Sequence, residues 1–186
     1  MILCDKEILA AIRSRKIIIN PPPKVEQYAP SALDLRTGSE FRRWKKQPKG
    51  AQLSFDLSNL EMSSYGAYTE EIPLHGGRFT LEPNEFVLAK TLEVVSLPYS
   101  GKIAARIEGR SGCARLGLVV HMTAPTIHCG FSGTITLEMM NFGQYPLIIE
   151  PSKTCICQLI LERLRQTPAG QFNSAFQNQR NVLGRS

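Results

Sequence analysis

Residues Ala105 to Asn141 read ARIEGRSGCARLGLVVHMTAPTIHCGFSGTITLEMMN. Short apolar runs at 103–107, 118–122 and 134–140 are separated by turns rich in glycine, serine and proline. None is long enough for a helix, and the last alternates in polarity, so each is read as a β-strand. Successive side chains of a strand leave opposite faces. Ile135, Leu137 and Met139 therefore share one face of 134–140. Thr134, Thr136, Glu138 and Met140 share the other.

The same punctuation extends outward. Runs at 79–81, 86–92, 94–97, 147–149 and 155–161 read as strands, with stops at Glu82-Pro83-Asn84 and at Pro98. Residues 31–36, SALDLR, and 52–57 also alternate. Strands this short and frequent, without βαβ alternation, indicate a sandwich or barrel. At the N-terminus, 4–16 reads as a helix with Asp5 as N-cap and Ile8, Leu9, Ile12 and Lys16 on one face. A short strand at 17–19 follows, ended by Asn20 and the prolines Pro21 to Pro23. Residues 167–186 form a polar, amide-rich tail that would be mobile on its own. One domain, 1–186, accounts for the chain.

The length of 186 residues suits one domain with a substantial core. No run of ~18 apolar residues suggests a membrane span, and the charged N-terminal stretch lacks the apolar core of a secretory signal. Five irregularly spaced cysteines fit reduced thiols and a cytoplasmic location. The net charge of +6 implies an anionic partner. Much of the excess lies in Arg42, Arg43, Lys45, Lys46 and Lys49 around Trp44. A nucleic-acid contact is one reading of that run, and a solvated hairpin or loop is the preferred one, since no nucleic-acid-binding signature accompanies it.

Glu138 shares its strand face with two hydroxyls, where a carboxylate can serve as a general acid/base, although an outward-facing glutamate fits the same pattern. The turn GRSGCARLG points further. Arg110 and Arg115 can fork onto phosphate oxygens, Gly109 and Gly112 allow close backbone approach, and Ser111 adds a hydroxyl. A surface hairpin with salt-bridged arginines is the alternative. The zinc-deaminase pattern of H-x-E with P-C-x-x-C is missing, and Cys155 and Cys157 read as core residues. His128 and Cys129, as neighbours on an extended chain, diverge and do not form a metal or nucleophile pair. No Walker, Rossmann or nucleophile-elbow motif is present.

RSGCARLGL, then VHMTA, then GFSGTITLEMMN resemble the deoxycytidine triphosphate (dCTP) deaminases, within the deoxyuridine triphosphatase-like superfamily. MILCDKEI, SALDLRTG, LEPNEFVLAKTLEVVSLP and ICQL fit the same family, so the likeness covers nearly the whole chain. The resemblance implies a mainly β fold, a distorted β-barrel or jelly roll with a short N-terminal helix. It implies a homotrimer with sites between subunits and the tail 167–186 closing over the nucleotide. The implied reaction is hydrolysis of dCTP to dUTP and ammonia, feeding dUMP and dTTP synthesis, with magnesium on the triphosphate and no zinc. Glu138 matches the proton-shuttling carboxylate, with Ser111, Arg115 and the Ala124 carbonyl in support. Nucleotide contacts fall on Arg110, Ser111, Gly112, Cys113, Ala114 and Arg115, on His128 and Phe131 at the sugar, on Thr136, Leu137 and Glu138 at the base, and on Gln158, Phe172 and Gln179. His121, Met122 and Thr123 match a segment linked to dTTP inhibition.

The chain departs from the family in several places. His128-Cys129-Gly130 replaces Asp-Pro-Gly, Gly112 replaces a second serine, Ala175 replaces a lysine, and Phe172 and Phe176 stand at tyrosine positions. The resemblance therefore leaves three functions in view. They are a deaminase releasing dUTP, a bifunctional enzyme or dUTP pyrophosphatase giving dUMP, and a catalytically silent nucleotide sensor. Retention of Ser111, Arg115 and Glu138 together argues against the sensor, and His128 in place of the aspartate argues against the dUMP-forming reading.

Overall fold

A computed structural model describes residues 1–50, 52, 54–58, 65–170 and 176–184. Its strands are β1 (Ile18–Asn20), β2 (Tyr28–Ala29), β3 (Ala32–Trp44), β4 (Thr69–Glu71), β5 (Phe79–Leu81) and β6 (Phe86–Ser96), followed by β7 (Ile103–Gly109), β8 (Leu118–Val119), β9 (Thr126–Ile127), β10 (Ser132–Asn141), β11 (Leu147–Ile149) and β12 (Cys155–Arg163). Helices are α1 (Asp5–Arg13) and the single turns α2 (Tyr65–Tyr68) and α3 (Ser111–Ala114). The main sheet runs β8-β10-β6-β3-β12-β7-β9, with β1 on β6 and both β2 and β4 on β3. A two-stranded β5–β11 sheet packs with it. The main sheet curls, so that residues of the edge strand β9 and of β10 line one cavity. The mainly β expectation holds.

Burial follows the alternation. Leu33, Leu35, Phe41, Leu81, Val87, Ala89, Leu137, Met139, Leu159 and Leu161 are fully buried. The rings of Phe41 and Phe79 stack at 4.0 Å. Such a core is the main stabilising term of the fold.

Several expectations need correction. Cys4, not Asp5, caps α1, and its N–H donates to Glu7 Oε2 at 3.1 Å. The helix stops at Arg13, where the Ser14 hydroxyl bonds the Ala10 carbonyl at 2.8 Å. The runs 86–92 and 94–97 are one strand, because the fully buried Glu93 between them is satisfied internally. Arg36 Nε lies 2.8 Å from its Oε1, the Arg36 N–H 2.9 Å from its Oε2, and Gln27 Nε2 3.0 Å from its Oε1. The run 118–122 is a strand only at β8, because beyond Val119 the chain crosses towards Glu138. Residue 53 of the expected strand 52–57 lies outside the described residues. The rest of it forms no strand, and Asp56 instead accepts from the Ser58 N–H at 2.9 Å in a turn.

The basic run takes the hairpin form of the expectation, with Arg43, Lys45, Lys46 and Lys49 exposed. β3 continues through Arg42, Arg43 and Trp44 and pairs with β4. Arg43 Nε meets Glu70 at 2.7 Å, Arg42 Nε donates to the Thr69 hydroxyl at 3.1 Å, and Lys45 Nζ donates to the Ala67 carbonyl at 2.8 Å.

Candidate active site

Glu138 sits in the middle of β10, opposite Leu88 of β6. It is partly buried, and its neighbours Leu137 and Met139 are fully buried on the reverse face. The Met122 N–H approaches Glu138 Oε2 at 3.5 Å, so the loop after β8 folds over the carboxylate. The carboxylate lines a cavity of about 520 Å³. Ala124, His128, Phe131, Thr136 and Gln179 line the same cavity, which gathers six of the expected site residues. Its remaining walls are largely apolar and include Trp44, Phe86, Leu88 and Ile135. Trp44 is held edge-on by Phe55 and Tyr65, each ring centre 5.5 Å away, so it is a wall and not a free stacking platform.

The arginine turn lies elsewhere. Three strands, β6, β3 and β12, separate β10 from β7, which delivers Arg110. Arg110, Ser111, Gly112, Cys113 and Gln158 line a second, smaller cavity of about 240 Å³, which shares no residue with the first. The sequence reads this segment as a turn, and the structure places one turn of helix there, α3. Ser111, Gly112, Ala114 and Arg115 are exposed. α3 leads into β8, which pairs with the end of β10, but neither Ser111 nor Arg115 lines the Glu138 cavity.

Asp34 organises this second cluster, a role the sequence did not reveal. Its carboxylate is buried and lies 3.1 Å from Arg110 Nε and 2.9 Å from Gln158 Nε2. The Arg110 fork is also tied to the Cys155 carbonyl at 3.1 Å. Burial, reinforced by Asp34, raises the Cys155 thiol pKa, and burial pushes the Cys157 thiol far above its ordinary value. Both stay protonated near neutral pH; Cys157 is a core residue as expected, whereas Cys155 is only half-buried and lies outside the core.

Around the first cavity, Phe131 is buried and His128 is exposed on the loop before it. His121 Nδ1 is buried without a hydrogen-bond partner among the described residues, while Met122 and Thr123 are exposed. Phe172 and Ala175 lie outside the described residues. Residues 176–184 pack along β10. The Thr134 N–H donates to the Gln179 carbonyl at 3.0 Å, and Gln179 Nε2 returns a bond to the Thr134 carbonyl at 2.6 Å.

The family model described as dCTP deaminase-like matches residues 2–164. The chain belongs to the dCTP deaminase-like family. A protein of Methanosphaera stadtmanae named "dCTP deaminase, dUMP-forming" is 38% identical over 164 residues, which is 88% of this chain and 79% of that protein. A Pseudoalteromonas atlantica protein named "dCTP deaminase" is 39% identical over 153 residues, covering 81% and 76% of the two chains. Among solved structures, the 2′-deoxycytidine 5′-triphosphate deaminase from Agrobacterium tumefaciens superposes with a TM-score of 0.65 at 22% identity. The match covers 86% of this chain and 47% of that one, so this chain spans about half its length. That likeness supports the fold alone. The tail residues that line the Glu138 cavity fall beyond the matched span of this dCTP deaminase-like protein.

Proposed function

We propose that this chain is a dCTP deaminase, a hydrolase acting on the C–N bond of the cytosine ring, and that it assembles its sites between copies in a homotrimer. The observation that carries the proposal is the position of Glu138 in a partly apolar cavity beside Ala124, Phe131 and Thr136, in a member of this family. The proposed reaction adds water at C4 of cytosine and expels ammonia, converting dCTP to dUTP. Glu138 takes a proton from the attacking water and delivers it to the ring, then helps transfer a proton to the departing amine. The Ala124 carbonyl helps hold the water, and the cavity fixes the ring against the carboxylate.

Neither Ser111 nor Arg115 lines the Glu138 cavity of its own chain, so a second copy supplies them. The Arg110 cluster, held by Asp34, takes the triphosphate. Magnesium enters as part of the nucleotide, on its phosphate oxygens. Among the described residues no three His, Cys, Asp or Glu side chains converge as a resident metal cage. Feedback binding of dTTP at His121, Met122 and Thr123, and a cytoplasmic setting, belong to the same proposal. Among the described residues no helix is long and apolar enough to cross a membrane.

Release of dUMP is the second reading, and the relatives named "dUMP-forming" favour it. Hydrolysis at the α-phosphorus needs a group that activates a second water. His128 stands in the cavity where the family pattern has aspartate, which favours release of dUTP. Incubation with dCTP and magnesium, following ammonia, dUTP, dUMP and pyrophosphate together, separates the two. Equal ammonia and dUTP is the expected result, and ammonia with dUMP and pyrophosphate selects the bifunctional enzyme. Failure to produce ammonia while dCTP binds would reject the deaminase. Glu138→Gln should abolish turnover and leave dCTP binding within about threefold, since only proton transfer is lost.

A further inference from the structure

Residues 176–184 form a strap over the Glu138 cavity, to which Phe176, Gln179, Val182 and Leu183 contribute side chains. Its first half is pinned by the backbone of β10. The Asn178 N–H donates to the Ser132 carbonyl at 2.6 Å, and Gly133 forms a parallel bridge with Gln179. Gly133 permits this approach, because a Cβ there would come within 3.1 Å of the Gln179 backbone.

The second half is held differently, by two side chains from neighbouring strands. Glu40 of β3 accepts the Val182 N–H on both oxygens, at 3.2 and 3.3 Å. Lys90 of β6 pairs with Glu40 Oε2 at 3.1 Å and donates to the Arg180 carbonyl. The two side chains are only 18% and 20% exposed, so the pair is partly shielded from salt and water. Val182 is buried beneath them. One feature opposes closure. Gln179 Nε2 is committed to Thr134 and Thr136, and Gln179 Oε1 is buried with no donor among the described residues. An unpaired buried acceptor disfavours the closed state.

The geometry points to Glu40 and Lys90 as positioning residues that latch the C-terminal strap shut over the site. Neither lines the cavity itself, and they act through Val182, which does, and through Arg180. The strap opens to admit nucleotide, and the latch sets how readily it recloses. This inference rests on the deaminase reading for its kinetic consequence, but the latch itself can be tested without turnover.

Trypsin cleavage after Arg180, followed by mass spectrometry of the released C-terminal peptide, reports strap opening in the full-length protein. Lys90→Gln and the isosteric Glu40→Gln should each raise that cleavage rate about five- to tenfold, the range for losing a partly shielded ion pair. Lys90→Arg, which retains the charge and the donors, should restore most of the protection. In the deamination assay Lys90→Gln should raise KM for dCTP by a similar factor and leave kcat within about twofold. Unchanged cleavage in both Gln variants would overturn the latch, whatever the activity of the wild type. A fall in kcat with unchanged KM and unchanged cleavage would also overturn it, since it would assign the pair to the chemical step. Wild-type protein that shows latch-dependent cleavage but no ammonia release would leave the latch standing and reject the deaminase reading alone.

Discussion

Replacing Asp34 tests whether the Arg110 cluster is held in place for the triphosphate or is only a structural salt bridge. The buried carboxylate accepts from Arg110 Nε at 3.1 Å and Gln158 Nε2 at 2.9 Å. Hydrogen bonds to a charged group contribute about 1.5–3 kcal/mol each when shielded. The Arg110 side chain is 41% exposed, so its bond is screened to about 1 kcal/mol or less. Asp34→Ala should therefore cost about 2 kcal/mol in all, or about 4–8 °C in Tm for a chain of this size. Asp34→Asn separates the two roles. The amide oxygen still accepts from Gln158, but the amide nitrogen faces the Arg110 N–H, donor against donor. Stability should fall by about 1 kcal/mol, while KM for dCTP rises about tenfold because Arg110 is no longer aimed. Steady-state kinetics with thermal denaturation of both variants would decide. A normal KM in Asp34→Asn, or a large Tm loss in Asp34→Ala with unchanged KM, would refute the positioning argument.

Three further outcomes are expected. Glu93→Gln removes the charge from a fully buried group that accepts three hydrogen bonds, so urea denaturation should show a loss of about 3 kcal/mol. Gly130 has φ +96° and an added Cβ would overlap the Tyr99 ring, so Gly130→Ala should lower stability by about 1–3 kcal/mol, read as a fall in Tm. Iodoacetamide at pH 8 should modify the exposed Cys4 and spare Cys157 in the native protein. Burial removes access to Cys157 and raises its pKa, leaving almost no thiolate, and peptide mass spectrometry would check this.

Much of the fold was legible because one buried face imposes a period of two. β5 and β11 match the expected runs to the residue, and β10 extends the run 134–140 by two residues at its start and one at its end. The failures have physical causes. β2 and β9 are two residues each and exist only through pairing with β3 and β7, which no local pattern encodes. α3 is four residues, too short for a helical period. Asp34 escaped notice because the alternation of SALDLR sets it on the polar side of its strand, whereas the strand is buried on both faces from Ala32 to Leu35. Its partner Gln158 lies 124 residues away. Trp44 as a cavity wall was equally hidden, since its basic neighbours dominate the local pattern. The expected site residues were recognisable as a set only through family likeness, and their division between two cavities is a property of the curled sheet.

That division has an electrostatic rationale on the proposed reading. A triphosphate carries several negative charges, and a catalytic carboxylate beside it would raise the cost of binding through like-charge repulsion. Here Glu138 lies in a cavity with largely apolar walls, and the cationic fork of Arg110 lines a separate cavity, anchored by Asp34. Asp34 neutralises part of the Arg110 charge but leaves the guanidinium 41% exposed to meet an anion. Bringing the two halves together between copies lets the base meet Glu138 while the phosphates stay on the arginine side. A dissociated chain would keep both halves folded yet bring neither Ser111 nor Arg115 to the base. Deamination per chain should therefore collapse on dilution below the assembly constant while circular dichroism stays constant. Mixing Glu138→Gln with Arg115→Ala protein should restore a fraction of activity, because some interfaces then receive an intact Glu138 and an intact Arg115. Full activity in a monomeric fraction, or no rescue in verified mixed oligomers, would contradict a site shared between copies.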